Sequence, residues 1–265
     1  MTTSTTSATP ANQDILIHTE AAVTTITINR IDKKNSITAV MYGALTDALE
    51  NASRDAAVRV VVIQGHETIF SAGNDIKDFL SVPPDHADAP VFRFMRGIST
   101  FAKPIIASVC GPAVGIGTTL LLHCDLVYAG DNAAFSMPFV NLGLCPEAGS
   151  SYLAPQLMGY ARASEALLLG EPFMAEAALE MGLVSRIVPP AEAAALAQRQ
   201  ARKLAAKPLN SLIETKRLMK LSQAATVAER MMEEGASFGR MLREPAAREA
   251  FTAFMEKRKP DFSTI

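Results

Sequence analysis

Three short segments break the apolar rhythm of this chain with glycine and polar side chains, and each holds groups able to do chemistry. One, Leu142-Gly143-Leu144-Cys145-Pro146-Glu147-Ala148-Gly149-Ser150-Ser151, offers a carboxylate. A Pro-Glu pair ahead of a helix is a start signal, with proline in the first turn and glutamate favoured by the helix dipole. Equally, Glu147 could be a general base at the mouth of an apolar pocket. Cys145 is the other reactive side chain there, but a lone cysteine with no evident histidine partner reads as core.

The other two segments offer backbone N–H groups. Phe70-Ser71-Ala72-Gly73-Asn74-Asp75-Ile76 follows an apolar strand. Its glycine lets the chain turn sharply or approach a ligand, and N–H groups in such a turn can point outward as donors. An ordinary strand-to-helix turn capped by Asn74 or Asp75 would look the same. Gly111-Pro112-Ala113-Val114-Gly115-Ile116-Gly117-Thr118-Thr119 opens an apolar helix. Helix N-termini carry unpaired N–H groups and positive partial charge, which suits a developing oxyanion. Close packing of helix on strand through Gly115 and Gly117 is the alternative. A true GxGxxG is absent, and no acidic residue follows at nucleotide-binding distance.

Recognisable elements frame these segments. Ile15 to Thr19 and Val23 to Asn29 read as strands joined by Glu20-Ala21-Ala22. Met41, Leu45, Ala48, Leu49 and Ala52 recur at helical spacing over about 38–53. Val58–Gln64 and Pro104–Cys110 are apolar runs that barely alternate, as in strands buried on both faces. A helix over Phe92–Thr100, a short apolar helix over Gly117–His123, and strands at Asp125–Ala129 and Ala134–Ser136 complete an α/β pattern with parallel pairing. From Gly149 onward the chain reads as helices over 149–158, 161–169, 175–181, 190–206, 208–222, 224–242 and 246–257, with one short strand at Val184–Val188. The domain reading is a disordered tail at 1–12, an α/β core over 13–200 and a helical region over 201–265. Ser81 to Pro90 is a loop by composition and a candidate pocket wall.

Composition limits the function classes. The chain has 265 residues, 49% hydrophobic and 20% charged, with a net charge of −2. No single-sign field points to nucleic acid or to an anionic membrane, and no apolar run is long enough to span a bilayer. Cys110, Cys124 and Cys145 form no CxxC pair, and the four histidines are scattered, so neither a disulfide framework nor a metal site is expected. The Ser/Thr-rich opening lacks a basic start and an apolar stretch, which leaves a cytoplasmic location as the expectation.

Taken in order and spacing, the three segments resemble the crotonase superfamily, also called the enoyl-CoA hydratase/isomerase family. The likeness runs from about Gln13 onward. It includes Asn29-Arg30, Lys33-Lys34-Asn35, Met181-Gly182-Leu183-Val184 and Phe254-Met255-Glu256-Lys257-Arg258-Lys259-Pro260. The resemblance implies a ββα-superhelix core with a helical C-terminal trimerisation region, assembled as a homotrimer or a dimer of trimers. The implied ligand is an acyl-CoA thioester, with coenzyme A arriving as part of the substrate and no permanently bound cofactor. Asn74 and Ile116 fall where the two oxyanion-hole N–H groups reside. Ala72, Gly73, Asp75 and Ile76 would line the CoA ester, Lys33 or Lys34 would meet its phosphates, and Phe254 and Lys257 would reach CoA held by a neighbouring subunit.

Departures from the hydratase pattern narrow this further. Those enzymes place two glutamates where this chain has Thr119 and, after Pro138, Phe139. Glu147 stands where they have glycine. That arrangement resembles the peroxisomal-type 3-enoyl-CoA to 2-enoyl-CoA isomerases of fatty-acid β-oxidation, in which a single glutamate moves the proton. A carboxylate set among Phe139, Leu144 and Cys145 would be partly desolvated and so a stronger base. Alternatives on the same scaffold are hydratase, thioesterase or other CoA-ester chemistry, and a non-catalytic acyl-CoA-binding protein.

Overall fold

The computed structural model describes residues 13–81, 88–263 and 265. The expected tail over 1–12, and most of the expected loop at 81–90, lie outside them. The chain opens with a hairpin, β1 (Ile15–Glu20) and β2 (Val23–Ile28), with Glu20 opposite Val23. Ala21 and Ala22 alone therefore make the turn, at φ 47° and 64°. A two-residue hairpin turn matches the strand twist only in such left-handed backbone, which a β-carbon opposes.

Next come α1 (Ala39–Arg54), β3 (Val60–Gln64), α2 (Ile76–Ser81), α3 (Pro90–Thr100) and β4 (Ile105–Val109). Thr38 caps α1 by accepting the Met41 N–H at 3.3 Å. There follow β5 (Pro112–Val114), α4 (Ile116–Thr119), β6 (Leu126–Gly130) and β7 (Ala134–Ser136). The remainder is α5 (Ser150–Met158), α6 (Tyr160–Ser164), β8 (Phe173–Met174), α7 (Ala175–Glu180), β9 (Arg186–Val188), α8 (Pro190–Ala205), α9 (Leu209–Lys220), α10 (Ala224–Met241) and α11 (Pro245–Glu256).

The main sheet has six strands in the order β1-β2-β3-β4-β6-β9, and all pairs but the hairpin are parallel. Its central strands explain the unbroken apolar runs. Val61, Ile63, Ile105 and Ala107 face α1 and α3, packing with Met41, Leu45, Phe94 and Ile98. Val60, Val62 and Ile106 face the other way, onto Leu196, Ala197 and Ala201 of α8. Since both faces are covered, no position in these strands needs a polar side chain. A separate apolar cluster joins Phe139, Leu144, Ala154 and Met158 to Phe238 of α10 and to Ala247 and Phe251 of α11. The C-terminal helices thereby pack back onto the segment that carries Glu147.

Several expectations are corrected. The helix expected over Gly117–His123 is one α turn, α4, that tightens into a 3-10 turn over Leu120–His123. The helix expected over 161–169 ends as a π-helical turn, Glu165–Leu169. The short strands β5 and β8, which with β7 form a second sheet, were too brief to read from periodicity, and β8 pairs antiparallel. The boundary drawn at residue 200 falls inside α8, which packs on the sheet as one helix to Ala205. No helix among the described residues is long and apolar enough to cross a membrane.

The hairpin turn is improvable. Replacing Ala21 with Asn and Ala22 with Gly relieves about 1–2 kcal/mol of left-handed strain. The apparent melting temperature should rise by a few degrees. An unchanged or lower melting temperature would refute the strain.

Candidate active site

The first two glycine-bearing segments follow β3 and β4 and lie against each other. The third is linked to them through Tyr42, which bonds Asn74 and feels the charge of Glu147. Neither Asn74 nor Ile116 is among the residues lining the cavity that Glu147 lines. The first segment is pinned by its backbone. Gly73 O accepts the Ile37 N–H at 2.8 Å, and Ile37 O accepts the Asp75 N–H at 2.9 Å. The Ala72 N–H donates to Lys34 O at 3.0 Å, and the Gly73 N–H donates to Ser71 Oγ at 3.1 Å. Asn74 lies between these anchored peptides, and its own N–H meets no acceptor among the described residues. The Asn74 side chain is held separately, with Oδ1 accepting from the buried Tyr42 hydroxyl.

The second segment lies directly against the first. The Val114 N–H donates to Ser71 O at 2.9 Å, and Ser71 bridges Ala113. Gly73 sits at φ 85°, and a β-carbon there would stand 2.8 Å from Val114 O. No other residue supplies both that backbone and that clearance. Gly115, at φ 56°, turns the chain into α4, where its carbonyl takes the N–H groups of Thr118 and Thr119 at 2.9 Å each. The Ile116 N–H is left without an acceptor among the described residues. Because α4 is a single turn, what it offers is this N–H itself rather than a long helix dipole.

Glu147 is the acidic residue of the third segment. It is only 6% exposed, its Oε1 has no hydrogen-bond partner among the described residues, and it lines a cavity of about 830 Å³. Phe79 of α2, Val91 and Met95 of α3, and Met231 and Phe238 of α10 make that cavity largely apolar. Burial, with the nearby Glu234 carboxylate adding to it, pushes Glu147 up to about 8. The same buried surroundings, and then the Glu147 charge, push the Tyr42 hydroxyl well above the usual tyrosine range. Thr119 is fully buried with an unpartnered hydroxyl, and Phe139 packs in the second apolar cluster.

The turn bearing Glu147 is held from two sides. Ala148 and Gly149 both adopt left-handed backbone, at φ 59° and 72°. Ala148 O lies 2.7 Å from Nε2 of His123, which burial depresses to about 4 and so keeps neutral. Glu234 of α10 reaches the other end, accepting the Gly149 N–H at 2.6 Å and the Ser151 N–H at 2.9 Å. Tyr42, His123 and Glu234 were all missed in sequence. For Glu234 a signal existed: Val227, Met231, Glu234 and Phe238 repeat at helical spacing along one stripe.

The remaining expected residues are those expected to contact coenzyme A. Lys33 and Lys34 are exposed beside Ala72, so they share a locale with Gly73, Asp75 and Ile76. Asp75 is engaged already. Its Oδ2 takes Arg30 at 2.7 Å and Ser36 Oγ at 3.2 Å, while Oδ1 takes the Lys77 and Asp78 N–H groups at 3.1 and 3.2 Å. Those bonds hold its carboxyl below the usual range against the opposing effect of burial. Both readings of the segment therefore coexist, since Asp75 caps α2 while Asn74 keeps a free donor. Phe254 and Lys257 stand exposed at the end of α11.

Comparison with known proteins gives the family and the fold. Residues 18–264 match the enoyl-CoA hydratase/isomerase family profile. The chain belongs to that family. Its fold is the crotonase fold: a solved structure of Pseudomonas aeruginosa OdaA superposes with a TM-score of 0.90 at 46% identity, over 92% of this chain and 99% of that one. Among curated family members, rat enoyl-CoA delta isomerase 2 is 44% identical over 67% of this chain. The match spans 47% of the rat protein, so this chain covers about half the length of that relative. The 1,2-epoxyphenylacetyl-CoA isomerase of Escherichia coli K12 is 34% identical over 94% of this chain and 98% of its own length.

Holding a carboxylic acid in this cavity has a pH signature. The folded-state value of about 8 lies above the ordinary 4.5. Below pH 4.5 the acid is protonated in both states and costs nothing. Between pH 4.5 and about 8 folding must take up a proton, so stability is progressively lost, and above 8 the loss levels off. Glu147→Gln should therefore leave thermal stability unchanged at low pH and raise it increasingly up to about pH 8. A stability difference that is flat with pH would contradict the raised value.

Proposed function

We propose that this chain shifts the double bond of a 3-enoyl-CoA to give the trans-2-enoyl-CoA, using Glu147 as its single acid–base group. The observation that carries the reading is the buried Glu147 carboxyl, which lines a largely apolar cavity and whose Oε1 has no hydrogen-bond partner among the described residues. Glu147 takes a proton from C2 of the acyl group, and the electron pair delocalises onto the thioester oxygen. In this reading the N–H groups of Asn74 and Ile116, which meet no acceptor among the described residues, receive that oxygen, each contributing roughly 3–4 kcal/mol by analogy with oxyanion-hole deletions. The protonated Glu147 then returns the proton at C4, leaving the double bond between C2 and C3. Proton and electrons balance with no water consumed.

Hydration would require a second group to activate water. The other carboxylate lining the cavity, Glu234, has both oxygens occupied by Gly149 and Ser151. Positions 119 and 139 carry no carboxylate. The likeness to a protein named enoyl-CoA delta isomerase supports the same choice, although relatives named hydratases match at 31–33% identity. Lys33, Lys34 and the 72–76 segment are the proposed CoA contacts within the chain.

On 3-hexenoyl-CoA, Glu147→Gln should lower kcat roughly 100- to 10,000-fold with KM little changed. For the unsubstituted protein, kcat/KM should climb with pH and level off above about 8, where the base is ionised. Near-full activity of the Gln variant would exclude Glu147 as the base. Hydration of crotonyl-CoA at a rate comparable to isomerisation would favour a hydratase, and binding without turnover a non-catalytic role. The proposed assembly is a homotrimer or dimer of trimers, and a monomeric mass by light scattering would reject it.

A further inference from the structure

A buried carboxylate on a distant helix has no part in the proton transfer just described. Glu234 is 6% exposed and belongs to α10, more than eighty residues after Glu147. Its Oε2 accepts the Gly149 N–H at 2.6 Å. Its Oε1 accepts the Ser151 N–H at 2.9 Å and the Ser151 hydroxyl at 2.5 Å. The Cys145 thiol donates to the Glu234 backbone carbonyl at 3.7 Å. One residue of α10 thus grips the turn on both sides of Glu147.

The turn needs that grip. α5 starts from Gly149, which has no side chain to cap its N-terminus, and no other side chain of the turn does so. Glu234 supplies the missing cap from another element, where a negative charge is favoured. Both carboxylates also line the same cavity, so their charges oppose one another. Burial raises Glu234 too, but the Ser151 and Gly149 donors oppose that rise, whereas Glu147 Oε1 has no donor. Glu234 is therefore the partner that ionises first.

Accepting Glu147 as the base, we propose that Glu234 is the positioning residue of this site: it holds the 145–151 turn so that Glu147 faces the cavity, and its charge opposes ionisation of Glu147. The other groups facing Glu147 are accounted for. Tyr42 of α1 and Cys145 of the turn itself are both held in their neutral forms by burial. His123, behind Ala148, is neutral above about pH 4. Arg96 of α3, Arg240 of α10 and Arg243 just beyond it also line the cavity. Arg96 pairs with Asp88, and Arg240 pairs with Glu244. Arg230 lies near Glu234 on the same helix.

Two substitutions test the proposal through the pH profile and through kcat, using 3-hexenoyl-CoA and the full chain. Glu234→Gln removes the charge at constant size, and the rising limb of kcat/KM should move to lower pH by ~1 unit. Glu234→Asp keeps the charge but withdraws it from the turn. Its limb should stay in place while kcat falls ~10-fold and KM changes little. A merely structural Glu234 would lower the melting temperature of both variants and move neither readout. An unmoved limb in Glu234→Gln overturns the electrostatic half of the proposal. Full kcat in Glu234→Asp overturns the positioning half, and this variant decides alone if the Gln protein does not fold. Activity surviving in Glu147→Gln would instead be a failure of the base assignment, which neither Glu234 variant reports.

Discussion

A carboxyl group almost wholly removed from water, with one oxygen lacking any donor, is unfavourable to fold around. Glu147 is that group, and the surrounding architecture can be understood as the means of keeping it there. The cavity it lines is largely apolar, and no side chain among the described residues donates to its Oε1. The same desolvation that destabilises the ion lets the carboxyl hold a proton up to about pH 8, as the proposed role as base requires. Stability and reactivity are set against each other at one residue, as is common where a site must stay chemically strained.

Keeping such a group in place requires a scaffold that is itself fully satisfied. The parallel sheet provides it. Val60, Val61, Val62 and Ile63 are buried on alternate faces by α8 on one side and by α1 and α3 on the other. The segments leaving β3 and β4 are then stitched together through Ser71, Gly73, Val114 and Gly115, peptide to peptide. Backbone bonding of this density fixes the directions of the two unclaimed N–H groups, at Asn74 and Ile116, without dependence on side-chain identity.

The helical C-terminal region contributes more than a cover. Phe238 and Phe251 share an apolar cluster with Phe139 and Leu144, and Glu234 ties the same region to the turn by three hydrogen bonds. The residues that define the cavity therefore come from widely separated parts of the chain. A change at Glu234 of α10 can reach Glu147 through the turn at 145–151.

The sequence by itself determined the family, the order of the principal elements and the identity of the three segments, because apolar periodicity, glycine placement and motif spacing are local properties of the chain. Glu147 stood out locally because it follows proline in a glycine-flanked run. Glu234 did not, because a glutamate among Glu229 and Glu233 looks like a solvated helix face until α10 is docked, even though it shares a stripe with Val227 and Phe238. Tyr42 and His123 were hidden for the same reason: each looks like an ordinary helix residue until folding brings it to Asn74 or Ala148. The short strands β5 and β8 and the 3-10 turn after α4 carry too few residues for any period to register. Only the tertiary structure decided which carboxylate is fully bonded and which is left bare, since that depends on donors supplied by elements far apart in the chain.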